Sequence, residues 1–222
     1  MHFMFDMKSL ISIACIFFFL PLAAYGEDRV GERPHWSLEV KTGLFYPAIE
    51  HWQEYYGDNS TGQYTVGISY KIVRRIEAGI DGGFIRDAGK GYAPGHGMLT
   101  GRVVYELFPL NAYILLRGEF SKDQWIVPYV GCGWTRIYYR EETEFQETQR
   151  GREDGMHARA GLQFLLDGLD QSAANSLYLD YGVHHTYLII EVQRLRALIN
   201  TIGGGELNIG GTSFLAGLLF EY

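Results

Sequence analysis

The sequence predicts an all-β protein: an eight-stranded antiparallel up-and-down transmembrane β-barrel that follows an N-terminal signal peptide. Three observations lead there. The first 26 residues have the make-up of an export signal, the remainder alternates apolar and polar residues with period two, and the polar face carries full charges at mid-strand. The chain has 222 residues, with 28 glycines, 16 tyrosines and a formal net charge of −7. That length suits one compact domain. An acidic balance argues against nucleic-acid binding, which needs a basic face.

The signal peptide is assigned to 1–26 and the barrel domain to 27–222. Lys8 supplies the positive start, Leu10 to Leu22 the apolar run, and Ala24-Tyr25-Gly26 the small residues of a cleavage site. A membrane-anchoring helix over Ser9 to Tyr25 is the rival reading, opposed by Pro21 and the small residues after it. A lipoprotein reading at Cys15 conflicts with the apolar run that continues beyond that cysteine. Cleavage after Gly26 leaves Cys132 alone, so no intrachain disulfide can staple the exported domain.

The expected strands run at about 36–46, 62–73, 75–86, 98–120, 126–140, 155–167, 176–189 and 210–222. In the first, Trp36, Leu38, Val40, Leu44 and Tyr46 share one face. In the second, Tyr64, Val66, Ile68, Tyr70 and Ile72 alternate with Gln63, Thr65, Gly67, Ser69 and Lys71. Ile76, Ala78, Ile80 and Phe84 oppose Glu77 and Asp81 in the third, and Met156 to Leu166 oppose His157, Arg159 and Gln163 in the sixth. Leu177, Leu179, Tyr181 and Val183 mark the seventh, and Phe214 to Tyr222 close the chain. Lengths of about ten residues match a tilted bilayer crossing.

The segment 98–120 is long for one crossing. Its polar face runs through Thr100, Arg102 and Glu106, then changes parity to Tyr113, Arg117 and Glu119. A β-bulge at Phe108-Pro109 keeps it one strand, whereas a turn there makes nine. Short connections at Val73-Arg74, Ser121 to Trp125 and Gly168 to Asn175 alternate with longer ones at 47–61, 87–97, 141–154 and 190–209. That alternation puts the short turns and both chain ends in the periplasm.

Val127-Pro128-Tyr129-Val130-Gly131-Cys132-Gly133, after the polar turn Ser121-Lys122-Asp123-Gln124, resembles a run found in the small outer-membrane barrels of the OmpW/OmpA-like group. Phe108-Pro109-Leu110 and the strand after it are most similar to OmpW-like members. Gly217-Leu218-Leu219-Phe220-Glu221-Tyr222 resembles the terminal signal read by the barrel-assembly machinery, with Tyr for the commoner Phe. The resemblance covers the mature chain in outline, with specific motifs only at 108–134 and in the last dozen residues. It implies a Gram-negative outer-membrane location, contact with outer-membrane lipids including lipopolysaccharide, and insertion by the assembly machinery. It also implies either a conduit or binding site for small hydrophobic molecules, or a non-conducting structural or adhesive role. No catalytic, cofactor or metal residue carries over.

The lumen is expected to hold Glu39, Lys41, Lys71, Glu77, Asp81, Arg117, Glu119, Arg159, Asp180 and Glu221. Eight strands enclose room for side chains only, and buried charges must pair, so these form a salt-bridged plug or a gate whose partners exchange. His157 and His184 are placed on the same inward face of neighbouring strands, as satisfied members of a polar core or as a pair that binds a metal or senses pH. His184-His185-Thr186 is distantly similar to the His-x-Ser motif of outer-membrane lipid A deacylases, but lacks the Ser and the following Asn, so an enzyme is the third reading.

His51, Trp52, Tyr55 and Tyr56 put four rings in the first long connection, suited to stacking on sugars, covering an apolar mouth or packing on the rim. Val192, Leu195, Leu198, Ile199 and Ile202 recur at helical spacing and predict a short amphipathic helix, over the mouth or lying in the outer leaflet, ended by Gly203-Gly204-Gly205. Trp52, Tyr55, Tyr56, Leu195 and Ile199 are therefore the candidate ligand basin at the mouth. A sideways exit is placed where Gly131 and Gly133 thin the wall. No cofactor is expected.

Overall fold

A computed structural model describes residues 34–49, 52–92, 99–121, 124–143, 148–200 and 206–222. The segment 1–26, expected to be a signal peptide, and Cys15 within it lie outside them. The described residues form strands β1 (Trp36–Pro47), β2 (Thr61–Val73), β3 (Ile76–Tyr92), β4 (Leu99–Arg117), β5 (Ile126–Thr143), β6 (Gln149–Leu165), β7 (His185–Asn200), β8 (Glu206–Asn208) and β9 (Gly211–Glu221). Two helices join them, α1 (Trp52–Tyr56) and α2 (Gln171–Tyr181). Every strand pairing is antiparallel, and the wall closes because β1 pairs with both β2 and β9 while β7 pairs with both β6 and β9. Eight strands make the barrel; β8 is a short addition on the end of β7.

The register fixes the tilt. The partners Trp36, Tyr70, Ala78, Ile114, Cys132, Ala158, Arg194 and Thr212 lead once around the wall and return at Tyr46, ten residues further along β1. A circuit thus climbs ten residues toward the outer end, the stagger that a closed, strongly tilted barrel requires. Alternation then sorts the side chains. Val66, Ile80, Ile114, Val130 and Ile190 stand exposed on the outer wall, where an apolar band faces lipid. Trp36, Trp125 and Tyr70 ring its inner edge, and Tyr46, Trp134 and Tyr138 its outer edge.

The structure corrects four expectations. No bulge lies at Phe108-Pro109: Phe108 pairs with Tyr138, Pro109 with Ile137, and the register with β5 is continuous from Val103 to Arg117; the one register shift of β4 against β3 lies near its start, between Leu99 and Arg102. Segment 176–189 is mostly not a strand. Asp170 caps α2 through its carboxylate, accepting from the amides of Ser172 and Ala173 at 3.0 Å each, and Gly182 ends it at φ 72°. The helix expected over 192–202 is the outer half of β7 as far as Asn200; Ile202 to Gly205 lie outside the described residues. The charged connection 141–154 is largely the extended β5–β6 pair, so the outer connections are shorter than expected and the inner one holding α2 is longer.

Candidate functional site

Inward-facing residues fill the lumen in layers. The charges of the middle layer come from β1, β3, β6 and β7, and β4 and β5 add neutral partners. Lys41 Nζ lies 2.9 Å from Glu39 Oε1 and 3.0 Å from Glu191 Oε1. Arg159 Nη2 reaches Asp81 Oδ2 at 2.6 Å, while its Nη1 lies 3.8 Å from Glu191 and 3.9 Å from Glu39. The Arg159 guanidinium also sits 4.0 Å from the Tyr113 ring centroid. Tyr129 donates to Glu191 at 2.8 Å, and Asn111 to Asp81 at 2.5 Å.

His157 completes this layer, with Nε2 3.1 Å from Arg159 Nη2 and Nδ1 2.7 Å from Thr135 Oγ1. A guanidinium can only donate, so Nε2 accepts and the proton resides on Nδ1. Thr135 in turn donates to Asn111 at 2.6 Å.

The inner layer is neutral by pairing. Arg117 Nη1 contacts Glu221 at 2.7 Å and Glu77 at 3.1 Å, Lys71 Nζ contacts Glu221 at 2.7 Å, and the Ser69 hydroxyl donates to Glu77. Leu115, Val127, Leu165, Tyr187, Ile189 and Leu219 pack around these charges. Each ion is thereby held by partners on other strands, the condition under which a buried charge is tolerated.

Glu39, Lys41, Lys71, Glu77, Asp81, Arg117, Arg159 and Glu221 all stand in the lumen, buried. Two expected members do not. Glu119 lies past the end of β4 at the inner rim, 3.2 Å from Arg74, and Asp180 is exposed on α2. His184 precedes β7 and meets Tyr178 edge-on at 5.0 Å, so it does not join His157. His185 binds Asp167 through Nδ1 at 2.8 Å, and the same carboxylate accepts from the Thr186 amide, which makes it a fastening at the start of β7. Glu191 and Gln193 were missed, although they are the only polar residues in the run Leu188 to Gln193 and share its inward parity. Among the described residues, no group of three or more His, Cys, Asp or Glu is placed to hold a metal ion.

The outer end is filled differently. Phe45, Trp52, Ile85, Tyr105, Leu107, Ile137, Leu195, Ala197 and Ile209 form one buried apolar cluster, with Tyr56, Ile199 and Leu207 packed against it. Helix α1 folds its rings inward: Trp52 stacks on Tyr56 with centroids 3.9 Å apart and meets Tyr105 edge-on at 5.4 Å. The structure thus brings Trp52, Tyr56, Leu195 and Ile199 together, while the side chain of Tyr55 and His51 lie outside the described residues. Burial pushes the Tyr56 and Tyr105 hydroxyls, and separately the Glu141 carboxyl facing them, above their ordinary pKa values. Trp52 Nε1 and Tyr105 Oη have no hydrogen-bond partner among the described residues. Gly131 and Gly133 do not thin the wall, because Leu115, and Tyr113 with His157, occupy the space above them.

No family model and no curated protein matches the chain. Solved structures do. The outer membrane protein OprG from Pseudomonas aeruginosa aligns over 88% of this chain and 99% of its own at 11% identity, with a TM-score of 0.58. Neisserial surface protein A aligns over 84% of this chain and 97% of its own at 10% identity, with a TM-score of 0.52. The chain has the fold of the small eight-stranded outer-membrane β-barrels.

Proposed function

We propose that this outer-membrane barrel binds small, mostly apolar molecules in the chamber at its outer end and does not pass them along the lumen axis. The observation that carries the reading is the pair of buried donors, Trp52 Nε1 and Tyr105 Oη, set without hydrogen-bond partners among the described residues in an otherwise apolar cluster. Buried donors left unmatched are costly, and a ligand bearing one acceptor on a hydrocarbon body relieves that cost. Passage down the axis is opposed by the two charged layers, because an apolar solute would have to displace paired ions. A non-conducting structural or adhesive barrel is the second reading, favoured by how completely those same layers fill the lumen.

The test is a fluorescence titration of the purified, folded protein against its Trp52→Phe variant, using an eight-carbon alcohol, ketone and alkane. Binding predicts saturable quenching by the alcohol and ketone, weaker by the alkane, absent in Trp52→Phe, and about tenfold weaker for the ketone in Tyr105→Phe. Quenching that rises linearly with micelle loading and survives in Trp52→Phe would leave the structural reading.

A further inference from the structure

The outer edge of the apolar band is not uniform around the wall. On β3 and β4 it carries Phe84 and Phe108, with ring centroids 5.0 Å apart, and the charges above them are matched: Glu106 lies 3.6 Å from Arg86 and 3.7 Å from Arg140, which also contacts Glu142 at 3.0 Å. On β6 and β7 the outward positions hold Arg150, Arg152, Arg194 and Arg196, against one carboxylate, Asp154. That carboxylate is engaged by Arg136 of β5 through two hydrogen bonds of 2.8 and 3.0 Å. Arg194 is held by the Thr212 hydroxyl at 2.5 Å, and no ion pair involves Arg152, Arg194 or Arg196 among the described residues.

Height makes the excess informative. Because the pairing rows climb toward the outer end, Arg136 and Arg196 stand at about the level of Phe84, Phe108 and Tyr46 elsewhere on the wall. This is the level at which hydrocarbon gives way to head groups. Guanidinium groups at such an edge are costly without an anionic partner, and the described residues supply none to Arg194 and Arg196. Arg194 and Arg196 lie about 7 Å apart along β7. Directly below them the wall is apolar: Met156, the pairing partner of Arg196, is 73% exposed, and Ile190 and Val192 are also exposed. Arg136 is held in place by Asp154 and by stacking 4.9 Å from the Trp134 ring. The patch has arginine and no lysine, and arginine's planar fork suits two oxygens of one phosphate.

We propose that the outward face of β5, β6 and β7 docks a phosphorylated glycolipid of the outer leaflet, lipopolysaccharide in a Gram-negative membrane. Arg136, Arg194 and Arg196 hold its phosphates, and the apolar surface of Trp134, Met156 and Val192 meets its acyl chains. The site lies on the outer wall and does not depend on ligand binding inside the chamber.

The experiment uses the folded full-length protein in a zwitterionic detergent and measures binding and the thermal midpoint of the heat-modifiable band. The probes are lipopolysaccharide, the same material with its lipid A phosphates removed, and inorganic pyrophosphate. Lipopolysaccharide is expected to raise the midpoint by about 5 °C or more, and the dephosphorylated form by much less. Arg194→Gln with Arg196→Gln should weaken binding about tenfold, and Arg196→Lys about threefold, since it keeps the charge and loses the fork. Arg86→Gln on the opposite wall should leave binding unchanged. Equal binding of the dephosphorylated lipid, or unaltered binding by Arg196→Lys and by the double variant, would overturn the proposal. Should the double variant fail to fold, Arg196→Lys decides alone. Pyrophosphate binding as tightly as the lipid would assign the patch to free phosphates and overturn lipid docking.

Discussion

The two ends of the barrel are filled by opposite rules. Through the apolar band, Ile114 and Leu116 of β4 face out while Asn111 and Arg117 face in; beyond it Glu106 takes the outward position, covered there by Arg86 and Arg140, while Tyr105 and Leu107 face in. The strand does not slip between them. On β7, Ile190 and Val192 face out and Glu191 and Gln193 in, and then Arg194 and Arg196 face out and Leu195 and Ala197 in. What changes is the solvent outside the wall: lipid below, water above. Where the outer face is in lipid, apolar residues there gain little by burial, and the lumen is free to hold paired charges. Where the outer face is wet, the only dry place is inside, and the apolar residues go there, each square ångström stabilising by about 25 cal/mol.

The contrast can be broken most severely in the inner layer. Arg117→Met leaves Glu221 with Lys71 and removes the ion partner that Glu77 has among the described residues. A loss of about 3–5 kcal/mol is expected, since the stranded carboxylate stays buried. Urea unfolding of the purified barrel, read by its heat-modifiable mobility, measures it. Adding Glu77→Gln should recover part of that loss. A variant as stable as the parent would show that the lower lumen admits enough water to solvate its charges.

The outer chamber should respond as a hydrophobic core does. Ile137, fully buried in the cluster, pairs with Pro109 in the unbroken stretch of β4 and β5. Ile137→Ala is expected to cost about 2–4 kcal/mol by lost transfer energy and a residual cavity, read by the same unfolding assay. The matching outward change, Ile114→Ala, should cost much less, because Ile114 faces lipid. Equal costs would mean that the inner and outer faces are not filled by different rules.

The same inversion explains what could be read in the sequence and what could not. Strands β1, β2, β3 and β9 were legible because their alternation keeps one phase through most of their length, as in Tyr64 to Ile72. In β4 the phase of polarity inverts at the outer edge of the lipid, which imitates a bulge at Phe108-Pro109 although the backbone continues. In β7 the inversion spaces Val192 and Leu195 three positions apart, which imitates a helical turn. Leu177, Leu179 and Tyr181 then supplied a false strand. The true helix had left its marks in Asp170 at the N-cap and Gly182 at the C-cap. The lumen charges on correctly placed strands were found. Glu191 was lost with its strand, and Asp180 was gained with the false one.

A smaller change tests that helix. Asp170→Ala removes the cap that satisfies two amides of α2, which buries none of its residues. It should cost about 1 kcal/mol locally and leave barrel unfolding unaltered. Faster proteolysis between Gln171 and Tyr181, with unchanged heat modifiability, is the expected result. Loss of the barrel would show that α2 helps close the wall. A cysteine at Asn175 should also resist labelling from outside intact cells, while one at Asp58 reacts, in a Cys132→Ser background.

The smallest expected effect is a pH dependence confined to the outer chamber. Glu141 lies on the inward side of β5 above the lipid, facing the Tyr56 and Tyr105 hydroxyls, and burial raises its pKa. A carboxyl with a raised folded-state pKa is easier to bury protonated. Its contribution to stability is therefore fully present below its unfolded value of 4.5 and is lost as pH rises through the higher folded value. The chamber should be tighter under mildly acidic conditions than at neutral pH. The total effect stays small because Glu141 retains contact with water. Asp87, also raised by burial, acts with the same sign and leaves a residual slope. Glu141→Gln should hold the chamber at neutral pH in the state the parent reaches in acid. The readout is the fluorescence difference between the protein and Trp52→Phe, followed through heating at several pH values between about 4 and 8. An identical pH slope in Glu141→Gln would place the sensitivity elsewhere in the barrel and remove Glu141 from the account of the chamber.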